Sequence, residues 1–465
     1  MSTILVKNGL IITIDSKRRI IEKGAVVIEN DRITGVGKTK DVLKEHKPEF
    51  VIDAHNKVVM PGFISTHSHV YQTLLKGLGD DLKLIDWLQA IIFSTVSHFT
   101  QESYYYGALL GCIELMKSGC TCVVDNNNLL MDKQLKDGLM GAFRDSGIRL
   151  IEAAMARDAN IFGIIPEELV QDKKEAIEST VEAIKKWHGK ENGRINVWFS
   201  VGTVFTTSEE FMANASNLAE KYGVGICIHL HESKHEVEEW KKRFGTTPIK
   251  YLHKKIDFLN SNVLAAHCVW VDNEDIRILK ETDTKVSHNP VSNMFLASGI
   301  APIPKMLRAG ITVGLGDDGA CVSGTSDMFE QMKTTVLLHK VAEGDPTAIT
   351  AEKALEMATI EGARAIGLEK EVGSIEPGKR ADLTIIDTKK SNFYPINRVH
   401  SQLVYCARAE NVDTVIVNGK IVMENGIVKT INEQDVLTNA QKAADELLGA
   451  SNLNKLKRRS WLSKP

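Results

Sequence analysis

Two histidines separated by a single residue, His67 and His69, are the first residues in this chain whose spacing could support chemistry. They end the segment PGFISTHSH, which has the pattern of a short apolar strand that finishes in polar residues. On an extended strand residues i and i+2 point to the same side, so both imidazoles can face one metal ion. Such a pair is a weak signal by itself, because most pairs of this kind lie on a surface or in a core.

A second apolar run, GICIHLHE, ends in three residues that could take part in the same chemistry. Either His229 or His231 could be a third metal ligand, and their positions alone do not decide between them. Glu232 comes just past the predicted strand, where a general acid or base would face a pocket. The ordinary alternative is a polar strand end.

Two more runs end in the same way, NVLAAHC at His267 and GLGDDG at Asp317 and Asp318. A lone histidine in such a run is more often a core residue, and two adjacent acids could simply cap the next helix. Taken with the first two segments, however, these residues follow four different predicted strands. Together they indicate three or four imidazoles and a carboxylate around one metal ion.

The elements that must position these residues are apolar strand-like runs alternating with longer segments of helical period. This alternation predicts parallel strands joined by right-handed crossovers. Eight candidates over roughly 300 residues suit a (β/α)₈ TIM-like barrel of the α/β class, whose chemistry lies at the C-terminal ends of its strands. An open doubly wound sheet is the competing arrangement. The eight runs are 62–65, 120–124, 149–154, 196–201, 224–229, 262–267, 285–288 and 312–315.

Both ends of the chain have short strands without helices between them: Asn8-Gly9 is expected to separate strands at 4–7 and 10–15, and Asn418-Gly419 predicts a hairpin turn. We therefore expect a small β-sandwich domain formed by both ends, with helical spacing after it over 432–448. The predicted division has three parts, listed here by residue range: the β-sandwich domain, 1–59 and 372–430; the catalytic barrel, 60–371; and a C-terminal helical tail, 431–465.

Composition indicates a globular protein, because 43% of residues are hydrophobic and 25% are charged. A net charge of −3 leaves no strong field for nucleic acid or an anionic membrane, and the basic run at 455–459 is isolated. The start of the chain has no signal-peptide pattern, so a cytoplasmic location is expected. The seven cysteines are an odd number lying mostly in apolar runs, and no disulfide framework is predicted.

The motifs HSH, HLHE, AAHC and GDDGA, with SHNPVSN before the last, resemble those of the amidohydrolase superfamily. The closest likeness is to the branch that holds cytosine and guanine deaminases, methylthioadenosine/S-adenosylhomocysteine deaminases and s-triazine hydrolases. The resemblance covers nearly the whole chain and includes the tail motif GSIEPGKRADL. It implies one divalent ion, zinc before iron or manganese, bound by the following residues: His67, His69, His229 and Asp318. His229 is chosen over His231 by the family's His-x-x-Glu pattern, and Asp318 over Asp317 because the family's aspartate directly precedes a small pair.

The resemblance also implies an aminohydrolase that releases ammonia from a nitrogen heterocycle. Asp318 would accept a proton from the attacking water, Glu232 would protonate the ring and the leaving amine, and His267 would orient the water, with direct coordination not excluded. Gln72 and Trp87 are candidate substrate contacts. His288 and Asn293 are expected to hold a nearby loop in shape. The expected partner is a small heterocycle, in a homo-oligomer.

Two departures from the family bear on the substrate. The family's nucleoside deaminases carry a ribose-binding glutamate where this chain has Val96, and a substrate-contacting histidine where it has Gly202. Both missing groups are polar anchors, and specificity for a polar substrate depends on such partners. The sequence therefore favours a free purine, pyrimidine or related base. The alternatives are a methylthioadenosine/S-adenosylhomocysteine-type nucleoside, or an s-triazine-type hydrolase that displaces chloride or an alkylamine.

Overall fold

A computed structural model describes residues 3–44, 48–127 and 133–458. Its strands, numbered in chain order, are β1 (Thr3–Ile12), β2 (Ile20–Glu29), β3 (Arg32–Lys38), β4 (Phe50–Asp53), β5 (Lys57–Pro61), β6 (Phe63–Ser68), β7 (Cys120–Asn127), β8 (Arg149–Ala156), β9 (Ile195–Val201), β10 (Ile226–Leu230), β11 (Val263–His267), β12 (Lys285–His288), β13 (Val313–Leu315), β14 (Leu383–Asp387), β15 (Val412–Val417), β16 (Lys420–Glu424) and β17 (Ile427–Val428).

The α-helices are α1 (Thr39–Val42), α2 (Leu84–Trp87), α3 (Phe93–Thr95), α4 (Gln101–Lys117), α5 (Lys133–Ser146), α6 (Lys173–Trp187), α7 (Lys190–Gly193), α8 (Glu209–Tyr222), α9 (Lys234–Phe244), α10 (Pro248–Tyr251), α11 (Asn273–Glu281), α12 (Pro290–Phe295), α13 (Ile303–Arg308), α14 (Ala320–Ser323), α15 (Met328–Glu343), α16 (Ala351–Met357), α17 (Ile360–Ala365), α18 (Val399–Tyr405) and α19 (Glu433–Ala450). Short 3₁₀ and π segments are Val70–Leu75, Leu88–Ile92, Val96–His98, Glu167–Leu169, Leu252–Ile256, Ala409–Asn411 and Asn454–Arg458.

Strands β6 to β13 form a closed parallel barrel, which confirms the predicted TIM-like fold. The ring closes where β13 pairs with β6, and β9 pairs with β10 in the same parallel sense, so the competing open sheet is excluded. Every residue of β7 and β8 is buried, as expected for strands covered on both faces. Such strands appear in sequence as unbroken apolar runs, which is why all eight predicted runs coincide with barrel strands.

A second sheet of nine strands contains both ends of the chain, again as predicted. Its order is β17-β16-β15-β14-β5-β1-β2-β3, with β4 paired to β1. The two ends meet where β14 pairs antiparallel with β5. Side chains from both ends share one core, which includes Ile4, Val26, Leu383, Ile385 and Ile416.

Two Asn-Gly pairs in this sheet have different structures. Asn418-Gly419 joins β15 to β16 in the predicted hairpin, with φ values of 52° and 73° that suit its primed turn. Asn8-Gly9 was expected to separate two strands, but β1 runs through it with a register shift between Val6 and Gly9. Asn8 takes a φ of 63° there, so the pair forms an irregularity within one strand.

A buried ion pair joins the barrel to the second sheet. Arg149, the first residue of β8, donates from Nε to Asp382 Oδ2 at 2.7 Å and from Nη2 to Asp382 Oδ1 at 3.0 Å. The same Nη2 donates to Asn418 Oδ1 at 3.0 Å, and the two charged side chains are only 3% and 2% exposed. The Asp382 carboxylate also accepts a hydrogen bond from the Asn418 backbone N–H at 2.7 Å. Both buried charged groups therefore have hydrogen-bond partners.

Helix α19 corresponds to the helical spacing predicted near the C-terminus, and it packs against α4 of the barrel. Arg459, the last residue of the basic run, lies outside the described residues, as do the final positions of the predicted tail. All seven cysteines are free. Within the described ranges, none of the helices combines the length and apolar character needed to cross a membrane.

Candidate active site

The His-x-His pair lies at the C-terminal end of β6 and is tied by its backbone to the end of β13. His67 is in the strand and His69 follows it directly. Asp318, three residues past β13, donates its N–H to His67 O at 3.0 Å, and His69 donates its N–H to Asp318 O at 3.0 Å. These reciprocal hydrogen bonds fix the histidines and the aspartate relative to one another.

Four side chains converge here and could hold one metal ion: His67, His69, His229 and Asp318, whose ligand atoms all lie within 4.8 Å of one another. His67 Nε2 is 3.0 Å from Asp318 Oδ1, and His69 Nε2 is 3.2 Å from His229 Nε2. The His67 Nε2 atom is buried without a hydrogen-bond partner among the described residues. Three imidazoles and a carboxylate are a donor set typical of zinc, so the residues present fit such an ion.

The three imidazoles are held neutral, the state in which they bind metals. Burial lowers the pKa of His67 and of His69, the latter to about 4, and it holds the pKa of His229 well below its usual value. His69 Nδ1 donates to Asn126 O at 2.6 Å, and His229 Nδ1 donates to Gly202 O at 2.9 Å. Both rings therefore carry their proton on Nδ1 and turn the Nε2 lone pair toward the cluster.

Glu232 and His267 face this cluster from the neighbouring strands β10 and β11. His267 Nε2 lies 3.7 Å from Glu232 Oε2 and 4.0 Å from Asp318 Oδ1. Burial raises the pKa of Glu232 to about 7, because a carboxylate is poorly solvated there. Burial would lower the pKa of His267, but the carboxylates of Glu232 and Asp318 raise it above its usual value. The site thus holds an acid that keeps a proton near neutral pH.

His231 and Asp317, the two residues that the sequence left as alternative ligands, lie outside the four-residue cluster. His231 has both ring nitrogens in hydrogen bonds with the backbone, since Nδ1 donates to Trp270 O at 2.9 Å and Nε2 accepts from Ile249 N at 3.2 Å. Asp317 accepts hydrogen bonds from Ser65 Oγ at 2.5 Å and Ser68 Oγ at 3.1 Å. Both residues thus have structural partners of their own.

A cavity opens over the cluster, and both predicted substrate contacts, Gln72 and Trp87, line it. Gln72 Oε1 and Trp87 Nε1 are buried polar atoms without partners among the described residues. The rest of the wall is largely apolar, and its apolar members are Leu84, Leu88, Ile92, Phe93, Met155, Ile164, Ile165, Phe205, Leu296 and Val322. The cavity thus combines the polar groups of the cluster with a largely apolar wall.

Sequence analysis missed two charged residues of this cavity, Glu236 and Arg157, of which Arg157 is the cation. Arg157 follows β8 directly, is only 8% exposed, and lies over the Phe93 ring at 5.3 Å from the ring centroid. Within the part of the chain that the structure describes, no carboxylate forms an ion pair with Arg157. Burial lowers its pKa, and a buried guanidinium usually has an acceptor. Its place at the C-terminal end of a predicted strand was the available signal.

The residues that hold the site in place were mostly invisible in the sequence. Ser292 donates a short hydrogen bond to Asp318 Oδ2. Asn293 was expected to shape a loop, but its Oδ1 accepts the His267 Nδ1 hydrogen at 2.9 Å. His288 is fully buried and its Nε2 lies 3.2 Å from His339 Nε2, away from the cluster.

Val96 and Gly202, the two positions at which the sequence departs from the family's nucleoside deaminases, differ in their position relative to the cavity. Val96 is buried and is not part of the cavity wall, although Phe93 in the same segment is. Gly202 does line the cavity, and a Cβ built there would lie 2.7 Å from Thr206 Oγ1. Thr206 therefore takes up the space that a side chain at position 202 would need.

Comparison with known proteins agrees with this geometry. The profile of the amidohydrolase family matches residues 58–422. The chain is 40% identical to a 5′-deoxyadenosine deaminase of Methanosarcina barkeri over 451 residues, which cover 96% of this chain and 99% of that relative. It is 39% identical to a 5-methylthioadenosine/S-adenosylhomocysteine deaminase of Syntrophomonas wolfei over 446 residues, or 96% and 99% of the two chains.

The fold also matches the crystal structure of an adenosine deaminase from Xanthomonas campestris with bound zinc. The TM-score is 0.90 at 27% identity, with 96% of this chain and 99% of that chain covered. A closed parallel barrel with a cluster of metal-ligating side chains at its C-terminal end defines a class, the barrel hydrolases that use a metal. The chain belongs to the amidohydrolase family, and it is a hydrolase that acts on C–N bonds other than peptide bonds.

Proposed function

We propose that this enzyme hydrolytically deaminates an aminated nitrogen heterocycle with the help of one zinc ion. The observation that carries the proposal is the placement of Glu232 and His267 beside a cluster of three histidines and an aspartate on the cavity floor. The ion would be held by the four side chains of that cluster, His67, His69, His229 and Asp318. Bound there, zinc would supply the Lewis acidity that activates water near neutral pH.

The protein's own residues then account for the proton transfers. Asp318 accepts a proton from the attacking water, and His267 orients that water by donating from Nε2 while Asn293 holds its Nδ1. Glu232, whose pKa near 7 lets it hold a proton, gives it to the ring nitrogen as water adds to the amino-bearing carbon. A second proton passes through Glu232 to the amine, which leaves as ammonia.

The substrate that we propose first is an adenine nucleoside whose 5′ position lacks a free hydroxyl. Relatives that are 40% and 39% identical over nearly the whole chain are named for such substrates. The largely apolar wall of the cavity above the cluster suits a substrate that bears an apolar 5′ group. We infer that Arg157, Gln72 and Trp87 provide the polar contacts.

A free aminated base is the second candidate. Val96 and Gly202 favour it, because neither offers the polar group by which the family's nucleoside deaminases hold ribose or ring. With a free base bound, the apolar side chains of the cavity wall would have no substrate group to contact.

The test is ammonia release from a panel of adenosine, 5′-deoxyadenosine, methylthioadenosine, adenine, guanine, cytosine and an aminated triazine. Zinc-loaded wild type and Glu232→Gln are compared, with zinc content measured for both. We expect turnover of the 5′-deoxy nucleosides to exceed that of free bases, and Glu232→Gln to lower kcat roughly 10²- to 10⁴-fold with zinc retained. Turnover of free bases alone would support the second candidate. No ammonia from any member would contradict deamination.

We also propose a division of the chain into two coupled units and a C-terminal tail. The ranges are 1–59 and 372–430 for the unit built on the sheet, 60–371 for the barrel and 431–465 for the tail.

We further propose that the protein is a homo-oligomer. Exposed apolar side chains on two neighbouring helices support it, among them Met294, Phe295, Leu337 and Val341. Sedimentation of the zinc-loaded protein tests it, and a monomer at micromolar concentration would contradict it.

A further inference from the structure

We propose that Asn126 is a positioning residue that holds both histidines of the His-x-His pair in the tautomer that binds the metal. This inference rests on the ligand set proposed above. Asn126 lies in β7, next to β6 in the barrel, and its side chain is fully buried. It is separated from the pair by more than fifty positions in the sequence, so the contact exists only in the folded barrel.

Asn126 contacts both rings at the nitrogen that faces away from the cluster. Its backbone oxygen accepts a hydrogen bond from His69 Nδ1 at 2.6 Å. The nitrogen of its side-chain amide, Nδ2, lies 2.9 Å from His67 Nδ1, and the amide oxygen Oδ1 accepts a hydrogen bond from Ser200 Oγ at 2.9 Å. One residue therefore addresses both members of the pair, once through the main chain and once through the side chain.

The chemistry of a neutral imidazole decides which end of the amide must face His67. A histidine that binds a metal through Nε2 carries its only proton on Nδ1 and needs an acceptor there. We therefore infer that in the metal-bound protein the amide is turned by 180° from its orientation in the structure, so that its oxygen accepts from His67 Nδ1 and its NH₂ group donates to Ser200 Oγ. A hydroxyl can accept as well as donate, so Ser200 satisfies the amide in this orientation.

A purely packing role for Asn126 makes a different prediction from a hydrogen-bonding role. If the side chain only fills space, leucine of similar volume should serve as well as asparagine. If it accepts the Nδ1 hydrogen, leucine leaves His67 free to rotate and to change tautomer, whereas aspartate keeps the acceptor and strengthens it. The two variants thus separate shape from hydrogen bonding.

The experiment measures zinc affinity by competition with a chromogenic chelator, together with the visible absorption spectrum of the cobalt-substituted protein. We expect Asn126→Leu to weaken zinc binding about 10- to 100-fold and to change the cobalt spectrum. Asn126→Asp should bind zinc at least as tightly as wild type, and Ser200→Ala should weaken binding by a smaller factor. The matched control is Asn411→Leu, another fully buried asparagine, which should lower the melting temperature without changing zinc affinity.

Wild-type affinity and an unchanged cobalt spectrum in Asn126→Leu would overturn the inference. If that variant does not fold, Asn126→Asp decides, since a tenfold or larger loss of affinity there would equally overturn it. A wild-type protein that binds no zinc contradicts the proposed function, whereas equal binding by wild type and variants contradicts only the role of Asn126.

Discussion

Asp317 and Asp318 are identical in type and adjacent in sequence, yet their carboxylates have different partners. Asp318 faces His67 at 3.0 Å, whereas Asp317 accepts from Ser65 and Ser68. The histidines hold the pKa of Asp318 well below its usual value despite burial, and burial raises the pKa of Asp317 to about 6. Asp318 therefore stays ionised well below neutral pH, whereas Asp317 takes up a proton as the pH falls through about 6, and Asp318 alone faces the histidines.

We therefore expect Asp318→Asn to abolish stoichiometric zinc binding and to lower kcat by at least about 10³-fold. Asp317→Asn should keep the zinc and lose stability by about 1 kcal/mol, because two serine hydrogen bonds are weakened. Zinc analysis of both purified variants and steady-state kinetics provide the measurement. The reverse pattern, with zinc lost from Asp317→Asn alone, would mean that the wrong aspartate has been assigned.

At the scale of elements, the neighbouring strands β7 and β8 carry a buried carboxyl pair outside the cluster. Asp125 and Glu152 are paired in register, and both are fully buried. Burial raises the pKa of Asp125 to about 7 and that of Glu152 well above its usual value. Asp125 Oδ1 also accepts the Val70 N–H at 2.7 Å, which attaches β7 to the segment just after the His-x-His pair.

This pair should make stability depend on pH. Because the folded state binds these protons more tightly than the unfolded chain, the pair favours folding at low pH, and that contribution is lost as pH rises from about 4 through about 7. The free energy of unfolding of the wild type should decrease between pH 5 and 8. We expect this decrease to be smaller in Glu152→Gln, by on the order of 2 kcal/mol. Denaturant titrations at several pH values measure this. The exposed Glu168→Gln is the control, and parallel curves for wild type and Glu152→Gln would refute the prediction.

Sequence patterns captured the elements better than the contacts between them. All eight barrel strands were predictable, since strands buried on both faces form unbroken apolar runs. The four proposed ligands lie at or just past strand ends, which the sequence indicated, but the choice of His229 over His231 and of Asp318 over Asp317 came from the family resemblance. Asn8-Gly9 was misread because a turn signal also permits an irregular strand, and tertiary pairing decided the outcome. Asn126 and Ser292 could not be found, because their partners lie far away in sequence.

For the whole molecule, the ion pair between Arg149 and Asp382 couples the barrel to the sheet. We expect Arg149→Met to destabilise the protein by roughly 3 to 5 kcal/mol, because it leaves a buried carboxylate without its cation. Arg149→Met combined with Asp382→Asn should recover part of that loss, since the uncompensated charge is gone. Chemical denaturation followed by two spectroscopic probes gives the energies and shows whether the barrel and the sheet unfold together.

The control for this prediction is the exposed pair Lys442–Glu446, where Lys442→Met should change stability by less than about 1 kcal/mol. Equal effects at the buried and exposed pairs would show that Arg149 does not couple the two units.

The backbone at the active site has a further consequence. Asp318 and His267 adopt left-handed φ values of 63° and 72°, which cost a residue with a side chain on the order of 1 to 2 kcal/mol each. Glycine at position 318 would remove that strain together with the carboxylate that contacts His67 and Ser292, so zinc should raise the melting temperature of the wild type and leave that of Asp318→Gly unchanged. Melting curves with and without zinc check this. A larger zinc-induced rise in the melting temperature of the wild type would mean that the lifetime of this protein in a cell follows the zinc supply.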